Sequence, residues 1–132
     1  MSLAGPDPSL ALQQAVYEAL MAAGVCNGAV FSEVPQNQQV PFAQIGDDDF
    51  VGELDGGPHT RATVNVNLYA SSRRLAKEEA AKAKVALDTE LEIDGFYVSE
   101  YLFDAMRMMP QPDGETQGCA LSFEYLLIPT AA

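Results

Sequence analysis

Apolar positions recur along the chain with two different periods. Leu12, Val16, Ala19, Leu20 and Ala23 fall at helical spacing and form one apolar stripe. Asp7 is placed to cap that helix, Pro8 suits its first helical position, and Gly24 suits a left-handed end. Ala29 to Val34 reads as a short strand closed by Pro35, and Phe42 to Ile45 as a second one after Pro41. From Thr60 to Ala70 the period becomes two. Ala62, Val64, Val66 and Leu68 point one way and Thr63, Asn65, Asn67 and Tyr69 the other, which predicts a strand with one face on a core and one face wet or in an interface.

Helical spacing returns after Ser71-Ser72, either of which can cap a helix running to about Asp88. Leu75, Ala76, Glu79, Ala80, Ala83 and Leu87 lie near one face, mostly small, so this helix can approach a sheet closely. Glu78 and Lys82 are spaced as a favourable i, i+4 pair. The last third reads as a β-hairpin, with strands Phe96 to Met109 and Glu115 to Ile128 around the Asp113-Gly114 turn. Cys119, Leu121, Phe123, Tyr125 and Leu127 share one face of the second strand. Each strand would reach about 43 Å at 3.3 Å per residue, against about 36 Å for a whole domain of this length. Such a hairpin must bend, bulge or project. The expected fold class is α+β: a mainly antiparallel sheet with two helices packed on one face, in the order α-β-β-β-α-β-β, ending in a long β-hairpin.

Length confines this to one domain, residues 1–132. Hydrophobic residues make up 48% and charged ones 20%, enough for a real core. No run approaches the length of a membrane span. Met1 to Pro8 lacks the basic and apolar regions of a secretory signal, and residues 1–6 are expected to be disordered or left over from a vector. The charge balance changes the picture more. Seven Lys plus Arg against nineteen Asp plus Glu leave −12, which argues against covering a duplex or an anionic membrane with cations. Five of the acids, Asp47, Asp48, Asp49, Glu53 and Asp55, stand together without a base among Gly52, Gly56 and Gly57. Residues 47–58 are therefore expected to form an acidic, flexible loop or a mobile hairpin tip.

Candidate chemistry is sparse. His59 is the only histidine and borders a strand; no Gly-x-Ser-x-Gly elbow accompanies it. Starting a calcium loop at Asp47 puts Val51 and Pro58 where ligands are required. Glu90, Glu92 and Asp94 sit in a short connection where acids face water. Gly56-Gly57 forms no phosphate-binding fingerprint. Cys26 and Cys119 make neither a disulfide framework nor a metal knuckle. No catalytic residue, metal or cofactor is expected. Met106, Met108 and Met109 near the hairpin turn serve as core filler or as an adaptable apolar contact.

Several stretches together resemble the tail-completion, or tail-terminator, proteins of long-tailed bacteriophages, prophages and gene transfer agents. They are the Leu12-Gln13-Gln14-Ala15-Val16-Tyr17 helix, Val34-Pro35 followed by Pro41-Phe42-Ala43-Gln44-Ile45-Gly46, the His59 to Tyr69 strand, the Ser71 to Leu87 helix, and Pro112-Asp113-Gly114-Glu115-Thr116-Gln117-Gly118 leading into Leu121-Ser122-Phe123. The resemblance implies a non-enzymatic virion protein, assembled in the bacterial host cytoplasm. It forms a hexameric ring on the head-proximal end of the tail tube, meeting tube and head-tail connector proteins, with no direct nucleic-acid binding. Thr63, Asn65, Asn67, Tyr69, Met106 and Met108 are the expected subunit or tube contacts, and Asp47, Asp48, Asp49, Glu53 and Asp55 an acidic lumen or loop. Two alternatives are a small-ligand-binding α+β module and an acidic nucleic-acid mimic that blocks a basic host protein.

Overall fold

The structure, a computed structural model, describes residues 8–52 and 59–130. Two strands with strict alternation build its centre. In β3 (Thr60–Ala70), Ala62, Val64, Val66 and Leu68 are buried; in β5 (Gln117–Pro129), Cys119, Leu121, Phe123, Tyr125 and Leu127 are. The two run antiparallel in continuous register from Thr60 opposite Leu127 to Ala70 opposite Gln117, so both apolar rows face the same side. Removing Phe123 or one of these leucines from water contributes about 1.5–3 kcal/mol each.

The other strands flank this pair. β1 (Val30–Phe31), β2 (Phe42–Gly52) and β4 (Phe96–Pro110) complete a five-stranded sheet in the order β1-β2-β3-β5-β4. All pairs are antiparallel except β1 with β2. The helices α1 (Ser9–Ala22) and α2 (Arg73–Leu87) lie on one face, α1 over β1 and β2, α2 over β3 and β5, and share one core with the sheet. The α+β architecture and the order of elements are as the sequence indicates.

The elements differ from expectation in detail. β1 is two residues long, not six, because the chain leaves the sheet at Ser32. Gly24 does adopt a left-handed conformation at the end of α1 (φ 70°), but Cys26, Asn27 and Gly28 also have positive φ and wind a tight turn before β1. Asp7 lies outside the described residues, and Pro8 precedes the first helical residue. Ser72 is the cap of α2, its hydroxyl accepting from the Leu75 amide at 3.1 Å. Leu75 itself is exposed, while Ala76, Ala80, Ala83 and Leu87 are buried. Glu78 pairs with Arg74 (3.1 Å) and Lys82 with Glu79 (2.9 Å), so the expected Glu78–Lys82 pair does not form.

The largest correction concerns the acidic segment. Gly46 to Gly52 is not loop but the distal half of β2, paired with β3 from Asp48 opposite Val64 to Gly52 opposite Thr60. One extra residue at Gly46–Asp47 bulges the strand, which restores alternation on the far side: Phe50 falls opposite Ala62 and packs on the core. A Cβ on Gly46 would come within 3.3 Å of the Asn65 carbonyl oxygen, so the bulge suits a glycine. Residues 53–58, with Glu53 and Asp55, lie outside the described residues.

Candidate assembly surfaces

The hairpin turn is locked by one side chain. Asp113 accepts hydrogen bonds from the Glu115 and Thr116 amides at 2.8 and 2.7 Å and from the Thr116 hydroxyl at 2.6 Å. These donors hold its carboxyl below the usual carboxylate range, the Thr116 hydroxyl most of all. Gly114 takes the left-handed conformation the turn requires (φ 72°). From there β4 and β5 pair along their whole lengths, with extra residues in β4 at Ser99 and Asp104. Of the outcomes open to an over-long hairpin, bending, bulging or projecting, its outer arm shows two bulges.

Register separates the expected contact residues into two groups. Thr63, Asn65, Asn67 and Tyr69 are opposite Glu124, Ser122, Ala120 and Gly118, on the face of the sheet away from the helices, and each is half-buried. Met106 and Met108 are opposite Leu121 and Cys119, on the helix face. Met108 packs on the core and Met106 is exposed. The six residues therefore form two patches on opposite sides of the sheet. Chain alternation reveals which residues share a face within a strand, but only the β4–β5 register, shifted twice by bulges, fixes the faces of β4.

On the open face, Tyr69 stacks on Phe42 with ring centroids 5.0 Å apart. Tyr69 also lies across Gly118, where a Cβ would meet its ring at 3.2 Å and the Met109 carbonyl oxygen at 2.9 Å. The stack floors a shallow groove of about 450 Å³ between Val34, Val40, Gln111 and Pro112. On the helix face, β4 lies beyond the cover of α2 and leaves Tyr101 and Met106 about half exposed. Lys84 of α2 reaches over the Phe103 ring, 4.6 Å from its centroid.

Asp48 and Asp49 sit on opposite faces of β2, opposite Val64 and Thr63, and do not converge. Among the described residues no group of three His, Cys, Asp or Glu side chains is arranged to hold a metal, and no polar or charged residue is fully buried. His59 lies at the start of β3, half-buried, and Glu90, Glu92 and Asp94 are exposed. The two cysteines are buried and unpaired. Burial first, then the nearby Glu79 charge, pushes the Cys26 thiol up to about 12, and burial also raises Cys119. Both shifts disfavour the thiolate.

Sequence reasoning missed two structural contacts. Glu79 reaches from α2 to accept the Cys26 amide at 2.5 Å, tying down the left-handed turn. The Tyr125 hydroxyl donates to the Leu87 carbonyl at the end of α2, one of the helix-end acceptors left without an intrahelical donor. A Glu on an otherwise small-residue buried face was the available signal for the first.

No protein-family model matches the chain, and no curated protein matches it in sequence. Among solved structures, it is similar to a chain from the virion of a native gene transfer agent particle, with a TM-score of 0.80 at 20% identity over 93% of this chain and 98% of the other. Two proteins from Akkermansia muciniphila, one determined without its transmembrane region, align at TM-scores of 0.48 and 0.44 with 10% and 12% identity; the chain spans about half of their length, 57% and 50%. Over nearly its whole length, then, this chain shares its fold with one component of a gene transfer agent virion.

Proposed function

We propose that this chain is a structural subunit of a phage-type or gene transfer agent particle, which caps the head-proximal end of the tail tube as a ring, ends tube polymerisation and prepares the joint to the head. The observation that carries this reading is the fold shared end to end with a gene transfer agent virion chain, at a TM-score of 0.80 over 93% of one chain and 98% of the other. A whole-chain match of single domains is what equivalent building blocks display, and the 20% identity leaves their roles to be tested.

The surface supports the same reading. Among the described residues no His, Cys, Asp or Glu side chains group to hold a metal, and on this reading the chain acts through shape and charge. A ring requires two different surfaces that meet head to tail. The sheet offers one at each edge, since β4 has no outer neighbour and β1 covers only Ala43 and Gln44 of β2. Six copies at −12 each would bring about 72 negative charges around one axis, a field that repels DNA rather than holding it during passage.

Incubating the purified protein with a tail-tube subunit from the same source tests this directly. Electron microscopy should show tubes of limited length with an added six-fold disc at one end. Tubes that grow without limit and carry no disc would sink the proposal.

A further inference from the structure

The few cations of this acidic chain are not scattered. Five of its seven Lys and Arg stand on α2: Arg73, Arg74, Lys77, Lys82 and Lys84. Arg74 and Lys82 are neutralised by Glu78 and Glu79 on the same helix. The other three occupy one flank. At 100° per residue, Lys77 and Lys84 fall within about 40° of Arg73. Lys84 marks what this flank faces, since it lies 4.6 Å from the centroid of Phe103 on β4.

A cationic row thus borders an apolar strip on the helix face of β4. Tyr101 (48% exposed), Phe103, Met106 (45% exposed) and Met108 form that strip. They share a face because they are opposite Tyr125, Phe123, Leu121 and Cys119, all core residues of β5. Exposed apolar side chains rimmed by like charges mark a docking surface. The opposite edge of the sheet has the complementary character: β2 ends in Asp48-Asp49-Phe50-Val51, with Asp49 exposed and Val51 62% exposed.

We propose that the strip of Tyr101, Phe103, Met106 and Met108 with the Arg73–Lys77–Lys84 row is a subunit interface, and that its occupant is the acidic distal half of β2 on a second copy of this chain. Positive and apolar at one edge, negative and apolar at the other, the two surfaces are different and complementary, which is the condition for head-to-tail closure. The inference deepens the ring reading above and rests on it. It also explains how a chain of −12 self-associates: the net charge repels, but the contact pairs the one positive flank with an acidic end.

A zero-length carbodiimide cross-link tests the contact, because it joins a lysine amine to a carboxylate only where the two touch. A mixture of isotopically heavy and light full-length protein, cross-linked at high concentration and read by mass spectrometry, should give heavy–light links from Lys77 or Lys84 to the exposed Asp49. The Arg73→Glu, Lys77→Glu variant should lose the Lys84 links at least tenfold, as should the milder Arg73→Gln, Lys77→Gln variant if the first fails to fold. Mixing the Glu variant with Asp49→Lys should restore association seen by sedimentation. Absence of heavy–light links, or links confined to other acids, would each overturn the assignment. Discs on tubes that persist in the charge-reversed variants would overturn this contact and leave the ring reading standing. Links without discs would do the reverse.

Discussion

The two arms of the terminal hairpin have nearly the same length and opposite environments. β5 is an inner strand with neighbours on both sides, and its residues alternate between buried and half-buried from Cys119 to Leu127. β4 is an edge strand; beyond Val98 none of its residues is fully buried, although it carries Tyr101, Leu102, Phe103, Met106, Met108 and Met109. Burial is thus set by place in the sheet, not by composition of the strand. An apolar edge strand of fifteen residues is an invitation to pair. Its bulges at Ser99 and Asp104 twist and interrupt it, which discourages indiscriminate pairing while leaving a shaped apolar surface.

The most forceful way to break this comparison is to truncate one large apolar residue on each arm. Phe123 is fully buried and its ring packs against Phe103 at 5.5 Å. Phe123→Ala should cost about 3–5 kcal/mol of stability in urea unfolding. Leu102→Ala on β4, 55% exposed, should cost less than about 0.5 kcal/mol. Similar losses from both would mean that the outer arm is core after all.

A second experiment acts where the arms touch. Gly118 lies between Tyr69 and Met109, with 2.9 Å from a would-be Cβ to the Met109 carbonyl oxygen. Backbone cannot swing aside as a side-chain end can, so Gly118→Ala should cost about 1–3 kcal/mol through local displacement of β4. Hydrogen exchange should speed up in β4 more than in β5, since the outer arm has no second neighbour to hold it.

The same contrast explains how much was legible in advance. β3 and β5 were readable because an inner strand under one helical layer must alternate, and Val64, Val66, Leu121 and Phe123 obey. α2 was readable from Ser72 and its small residues. The distal half of β2 was not, since Asp47-Asp48-Asp49 and Gly52 have the composition of a loop. What makes it a strand is a ladder to β3 and the Gly46–Asp47 bulge, both long-range features that no local window contains. The faces of β4 were not legible for a related reason: a period of two gives relative direction only within one strand, and two bulges reset it there.

Tyr125 sharpens the comparison on the inner arm. It is buried against the helix layer, and its hydroxyl donates to the Leu87 carbonyl. Tyr125→Phe keeps the ring and leaves that acceptor without its donor, for a loss of about 1–3 kcal/mol. Burial holds the phenol protonated well above its ordinary 10.0, with Asp88 adding to the effect. Its unfolded counterpart ionises first as pH rises, so the unfolded chain then binds fewer protons and stability falls. The contribution is fully present below pH 10.0 and shrinks above it. Urea midpoints at pH 8 and pH 11 should therefore show the gap between wild type and Tyr125→Phe narrowing with pH; a constant gap would mean that the phenol is not held protonated by the fold.

The smallest expected effect is the most pointed, because it separates what β4 does for folding from what it does for assembly. Met106 is 45% exposed and sits on the helix face just outside the cover of α2. Met106→Ser removes an exposed thioether and should change stability by no more than about 0.5 kcal/mol. If the outer arm were merely a poorly covered edge of the core, self-association and tube capping would be equally indifferent. If its apolar strip is a contact, the serine variant should keep the wild-type urea midpoint and lose association at least threefold in sedimentation, since removing a side chain from a buried interface costs the area it covered. A variant that loses midpoint and association together would return Met106 to the core.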